Sequence, residues 1–356
     1  MPLDLGSLEL YMGPNNLGAP DNLETTITSF INGARQSLYI AVQELESESI
    51  TRALINARQR GIIVRLILEG QYLTVRNAVP NPFIPGGNNE ENRRLHAALL
   101  RADLDIISDL NPETFHQKFI VRDHGTSNAA VLTGSTNFTP TGVSSNLNHI
   151  IILRSQRIVN LFLEEFEESW SGTFGQLNER HGSSPREYRL SHIRVKVLFS
   201  PDHAPELEIM KQMLKATNTI NFAIFTFAES SGIDDTMRVL AGTGINITGI
   251  LDRRQANQSW SASHNLLGQA NINLFWPRTG TGINKLHHKL MVIDNQVVIA
   301  GSFNYTNPAN ALNDENILVI GDINETNATA RANQQRFANY ALQEINRIQA
   351  QSDPIV

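Results

Sequence analysis

The chain has 356 residues, 41% of them hydrophobic and 18% charged, with a formal net charge of −6. That length allows two domains of ordinary size with a substantial core, and the negative balance excludes a protein that coats nucleic acid through a broad basic surface, though not one with a single local basic groove. The absence of cysteine excludes a disulfide framework and thiolate metal sites. Met1-Pro2-Leu3-Asp4 offers neither a basic n-region nor an apolar h-region, and no apolar run approaches the ~18–20 residues of a spanning helix. A cytoplasmic protein without stable membrane insertion is expected.

Taken in order, the predicted elements form two similar series. Residues 8–14 and 195–201 each open a series with a strand. Helices follow at 23–34 and 204–216, strands at 37–42 and 219–225, and helices at 49–60 and 234–241. Strands at 61–68 and 244–251 come next. The series then diverge. Residues 77–89 read as an Asn-, Pro- and Gly-rich loop before a helix over 90–101, which carries Arg93, Arg94 and His96. The second series instead has Arg253, Arg254, Trp260 and His264, then Trp276-Pro277-Arg278. Amphipathic helices at 158–170 and 324–351 close the two halves. Alternating strands and helices, repeated once, predict an α/β protein of two similar sandwich lobes with mixed sheets. The boundaries are 1–175 for the first lobe, 176–192 for a linker and 193–356 for the second.

Each half carries the same string of polar residues. His116-x-Lys118 is followed by Asp123 and then Gly134-Ser135-Thr136-Asn137; His287-x-Lys289 is followed by Asp294 and then Gly301-Ser302-Phe303-Asn304. Eleven residues beyond each asparagine stand Asn148 and Glu315. One H-x-K is common by chance; two copies with matched downstream spacing are not. Strand alternation places His287 and Lys289 on one side. Lys118 is the only lysine before Lys196, so it is not incidental surface charge. A compact ammonium suits a phosphate oxygen in a tight pocket. Cleaving a phosphodiester requires a nucleophile, an acid for the leaving oxygen and donors for the non-bridging oxygens. Two His, two Lys, two Asn and two Ser supply all of these without a metal or other cofactor.

The duplicated string resembles the HKD motif of the phospholipase D superfamily, and the resemblance covers nearly the whole chain. It implies two lobes related by a pseudo-twofold axis with the active site between them, complete in one chain without a partner. It further implies that one histidine attacks phosphorus to form a phosphohistidine while the other protonates the leaving group. Lys118, Lys289, Asn137 and Asn304 would bind the phosphate, with Ser135 and Ser302 in support. The position of Glu315 often holds an acid that contacts the histidine. With Glu315 beside His287 and Asn148 beside His116, His287 would be the imidazolium acid and His116 the neutral nucleophile. The tyrosyl-DNA phosphodiesterase branch shows a similar amide-then-Glu asymmetry. The opposite argument, that a carboxylate orients a histidine base, stays open. Asp123 and Asp294 are expected to bond turn amides, and His149 and His288 to be structural.

For the substrate, arginines beside tryptophans suggest a phosphodiester backbone with stacked bases. Arg253 and Trp260 are therefore expected to bind substrate together with Ser135, Ser302 and Asn148. The catalytic set is His116, Lys118, Asn137, His287, Lys289, Asn304 and Glu315. The leading expectation is a metal-independent nuclease, with DNA favoured. A phospholipase D acting on lipid head groups would need an apolar rim, for which residues 79–85 are the candidate. A non-catalytic nucleic-acid-binding module is the third reading, and two intact motifs weigh against it.

Overall fold

The structure is a computed structural model that describes residues 2–75, 77, 79–180 and 185–356, with only the backbone of 178–180. Among these residues lie two nine-stranded mixed sheets. In the first, the strands run Leu3–Asp4, Leu8–Gly13, Asn146–Leu153, Ala130–Gly134, Lys118–Arg122, Ser37–Val42, Ile63–Leu68 and Asp105–Ser108, with Lys285–Leu286 as the ninth, joined to Asn146–Leu153 off this path. In the second they run Arg186–Leu190, Ile193–Ser200, Glu315–Ile320, Val297–Gly301, Lys289–Ile293, Thr219–Ile224, Asn246–Leu251, Ile272–Pro277 and Ser352–Pro354. Seven strands therefore recur in the same order, and the two series read from the sequence are two similar α/β lobes. In each lobe the motif strand is central, and its residues are all buried. A strand buried on both faces is near-continuously apolar, as Phe119-Ile120-Val121 and Leu290-Met291-Val292-Ile293 are.

Helices Gln156–Trp170 and Ala328–Gln349 lie between the sheets. Their apolar faces, including Phe162, Phe166, Phe337 and Ile345, enter one core cluster that draws on strands of both lobes, among them Leu10, Val121, Val197 and Val292. Two further clusters pack the outer helices of each lobe onto the far faces of the sheets. Among the described residues no helix is long and apolar enough to cross a membrane.

Two expectations change. Part of the expected linker is a strand: Arg186–Leu190 pairs antiparallel with the Ile193–Ser200 strand as the edge of the second sheet, while residues 181–184 lie outside the described residues. The single strand expected to carry both His287 and Lys289 is broken. Lys285–Leu286 pairs in parallel with Asn146 and Leu147 of the other lobe, and the strand of its own sheet begins at Lys289. His287 and His288 occupy the break, where the chain crosses between lobes.

Candidate active site

The backbone fixes each motif histidine across the lobe boundary. His116 N–H donates to Asp314 O at 3.0 Å, and His287 N–H donates to Leu147 O at 2.9 Å. Asp123 and Asp294 anchor the far ends of the motif strands. The Asp123 carboxylate accepts the backbone N–H groups of Arg35, Gln36 and Ser37. Asp294 does the same for Thr217, Asn218 and Thr219.

The side chains cross over as well. Glu315 Oε2 lies 2.6 Å from His116 Nδ1, and Asn148 Oδ1 lies 2.9 Å from His287 Nδ1. This corrects the sequence expectation, which paired each residue with the histidine of its own lobe's motif. Each downstream strand neighbours its own motif's Gly-Ser turn, and that turn faces the histidine arriving from the other lobe. Ser302 Oγ donates to Glu315 Oε2 at 2.6 Å, and Ser135 Oγ donates to Asn148 Oδ1 at 2.8 Å. The preceding glycines permit this contact. A Cβ on Gly134 would stand 2.2 Å from His149 O, and one on Gly301 would stand 2.2 Å from Asn316 O.

Ser135, Ser302 and Asn148, expected to bind substrate, thus sit fully buried behind the histidines and orient them. With Nδ1 engaged, Nε2 is the nitrogen left for chemistry on each ring. Lys118 Nζ donates to His116 O and Gln43 Oε1 at 2.8 and 3.1 Å. Lys289 Nζ donates to His287 O at 3.0 Å and lies 5.0 Å from the Phe225 ring centroid. Asn137 Nδ2 donates to Glu44 Oε1 at 2.9 Å, and Asn304 Oδ1 accepts the Thr226 N–H at 3.3 Å.

Burial sets the protonation of the site. It pushes Lys118 down to about 8, opposed by Glu315, Glu44 and Glu69. Lys289 is driven well below its ordinary range by burial and by Lys118. Both histidines are held well below their usual value by burial and by the two lysines. Burial raises Glu315 to about 8 against the pull of Lys118. Two ammoniums thus share a buried space with one reluctant carboxylate, and an anion between them would relieve their repulsion.

A second layer of contacts lay outside the expected site. The residue between His and Lys bonds the residue after the Nδ1 acceptor and also approaches a glutamate of its own lobe's closing helix. In lobe one, Gln117 accepts from Asn316 Nδ2 at 2.7 Å and donates to Glu165 at 3.1 Å. In lobe two, His288 Nδ1 lies 3.1 Å from His149 Nδ1, and His288 Nε2 lies 3.5 Å from Glu344. His149 and His288 are both fully buried. The equal offsets of His149 and Asn316, each one residue past its acceptor, were the available signal.

A family model described as "Cardiolipin synthase, PLD-like domain" matches residues 27–170 and 209–339, spanning both motifs. The chain belongs to the phospholipase D superfamily. It is 30% identical over 140 residues to a protein of Rickettsia conorii named Phospholipase D, covering 39% of this chain and 60% of that one. It is 28% identical over 156 residues to the human Mitochondrial cardiolipin hydrolase, covering 42% of this chain and 54% of the relative. The chain thus spans little more than half the length of these relatives. Among solved structures, the phosphatidylserine synthase of Haemophilus influenzae Rd KW20 matches with a TM-score of 0.66 at 13% identity, covering 100% of this chain and 89% of that one. At that identity the match shows the shared fold.

The remaining expected residues of this superfamily member have other neighbours. Arg253 stacks 4.5 Å from the Trp276 ring centroid and pairs with Asp353 at 3.7 Å. Trp260 is an exposed turn residue, 42% accessible. Arg93 and Arg94 are tied to Glu90, Glu91 and Glu48. Among the described residues, one group, Glu165, Glu168 and Asp202, brings carboxylate oxygens within 4.8 Å of one another and could hold a metal. Within it, Glu165 accepts from Gln117, the residue between His116 and Lys118.

Proposed function

We propose that this chain hydrolyses phospholipids, releasing the head-group alcohol through a phosphohistidine on His116. The observation that carries the lipid reading is an apolar rim. Phe83 is 94% exposed and Ile84 61%. They border a hollow with Val75, Val79, Pro82 and Pro85, which Arg93, Arg94 and Arg101 also line. Exposure of two large apolar side chains at one loop tip is what insertion among acyl chains rewards, at about 1.5–3 kcal/mol per fully buried side chain. The base of that loop is held to the body: Arg93 donates to Asn88 O at 2.7 Å and Gly86 O at 2.8 Å, and Asn89 donates to Gln71 O at 3.1 Å. Gln71 lines a cleft with Gln43, the side chain that holds Lys118. One segment therefore connects the rim to the motif lysine. The names of the curated relatives point the same way. The nucleic-acid reading has less support, since the arginines that suggested it are mostly engaged by carboxylates.

In this reading Lys118, Lys289, Asn137 and Asn304 hold the non-bridging oxygens. The Glu315 carboxylate takes the Nδ1–H of His116, which frees the Nε2 lone pair and stabilises the cationic ring as the N–P bond forms. The P–O bond to the head-group alcohol breaks, and His287 supplies the proton to the departing oxygen. The anionic phosphate between two ammoniums favours the imidazolium that this step needs. Water deprotonated by His287 then breaks the N–P bond and releases phosphatidic acid. The residues for both steps come from one chain, so no second copy is needed.

The test is a substrate panel in EDTA. Phosphatidylglycerol vesicles, single- and double-stranded DNA, and RNA are each incubated with purified protein. Phosphatidic acid is expected from the vesicles, and both nucleic acids should survive. Cleavage of DNA or RNA with intact lipid would replace this reading by the nuclease one.

A further inference from the structure

Two polar clefts flank the motifs, and their charges are opposite. The lobe-one cleft is lined by Gln43, Glu69, Gln71, Tyr72, Asn89 and Thr114, among others. Glu69 is buried there and raised to about 7 by burial and by neighbouring Asp109. The Glu44 carboxylate holds Asn137 nearby. An additional anion would be repelled on this side.

The lobe-two cleft is lined by Arg253, Arg254, Arg278 and Asn284, together with Asp252 and Leu286. Leu286 immediately precedes His287, and its N–H donates to Asp252 Oδ2 at 3.1 Å. Asp252 also caps the N–H groups of Arg254 and Gln255, so its carboxylate is committed to the backbone. Asp353 pairs with both Arg278 and Arg253. Lys285 acts electrostatically on Asp252 from the same side. Four cations here face two carboxylates, and among the described residues the Arg254 guanidinium has no ion pair. Arg253 is held in place by Trp276 and by Pro277 O at 3.3 Å, which pre-orders one wall.

We propose that the lobe-two cleft, with Arg254 as its free cation beside Arg253 and Arg278, selects phospholipids whose leaving alcohol carries a second anionic group such as a phosphate monoester. The inference rests on the phospholipid reading. Its geometric basis is that the alcohol departs toward the histidine that protonates it, and this cleft opens one residue from His287. A guanidinium matches a phosphate with two parallel donors, which a neutral glycerol cannot exploit.

The experiment compares phosphatidylglycerol with phosphatidylglycerol phosphate in neutral detergent micelles, measuring released glycerol and glycerol 3-phosphate. The two lipids differ only in the second anion. A charge-assisted contact corresponds to about a tenfold preference or more in kcat/KM for the phosphorylated lipid. Arg254→Gln should reduce that preference toward unity, chiefly through KM, and Arg254→Lys should restore part of it. Cleavage of both lipids without preference, or a preference that survives Arg254→Gln, would overturn this inference alone. Cleavage of neither lipid would overturn the phospholipid reading, and this inference with it.

Discussion

Glu315, on a strand of the second lobe, is hydrogen-bonded at 2.6 Å to His116, on the motif of the first. His287 has an amide, Asn148, in the same position. The proposed roles, His116 as nucleophile and His287 as acid, therefore rest on the opposite ground from the one the sequence suggested. A carboxylate on Nδ1 orients the nucleophile as it orients the base of a hydrolase triad. His116→Ala should abolish turnover and covalent intermediate together. His287→Ala should slow release of an ordinary alcohol by about 10²–10⁴-fold, the usual worth of a general acid. A p-nitrophenyl diester, whose leaving group needs little protonation, should recover much of that loss in the first-turnover burst of p-nitrophenolate from His287→Ala and none in His116→Ala. Recovery in the His116 variant would reverse the roles.

The pH profile should have its maximum near 8. Below that, Glu315, raised to about 8 by burial, carries a proton, and the pair with His116 leaves no free Nε2 lone pair. Above it, Lys118, lowered to about 8 by burial, loses the charge that holds phosphate. On a soluble p-nitrophenyl diester, whose leaving group needs no proton from His287, kcat/KM should thus rise through Glu315 ionisation and fall through Lys118 deprotonation. Glu315→Gln should remove the rising limb and keep the falling one. An unchanged rising limb in that variant would assign it to another group.

Asp123 should act on stability. Burial raises its carboxyl, but the N–H groups of Ser37, Gln36 and Arg35 and the side chain of Asn128 outweigh this and hold the pKa below the ordinary carboxylate range. A depressed folded pKa contributes stability that is fully present above the unfolded value of ~3.9 and is lost as pH falls through the folded value. Asp123→Ala strips three backbone donors of their acceptor and should cost about 2–3 kcal/mol at pH 7. Urea midpoints would show this, with the gap to wild type narrowing as pH drops below the carboxylate range. A constant gap down to acid pH would mean that ionisation of Asp123 contributes nothing.

The rim should matter only at a lipid surface. Replacing Phe83 and Ile84 together by Ser should lower the rate on vesicles by about tenfold or more, from the apolar burial lost. A fall of the same size on a micelle-free soluble diester would show that these side chains support the fold of the site instead.

The lobes, the motif strands and the aspartate anchors were legible in the sequence because they repeat locally, with fixed spacing and strand periodicity. The exchange of partners was not. His116 meets Glu315 and His287 meets Asn148 only because the chain crosses between lobes at Lys285–Leu286 and at Phe115, bridged to Asp314, and sequence spacing carries no information about such pairings. The serines misled for a related reason. Their spacing marks the site, but a hydroxyl at that place serves a hidden carboxylate or amide rather than the substrate. Arg253 was expected to bind substrate with Trp260; its packing on Trp276 is a partnership that only the tertiary fold reveals.

The central claim is that His116 attacks a phospholipid phosphorus. The most direct measurement is mass spectrometry of protein mixed with phosphatidylglycerol in EDTA and quenched in alkali, where a phosphoramidate survives. The expected result is a phosphatidyl adduct on the peptide containing His116, enriched in His287→Ala with a p-nitrophenyl phosphatidyl ester, where the activated bond still breaks but water attack lacks its base. An adduct on the peptide containing His287, or an adduct formed only with DNA, would contradict the account.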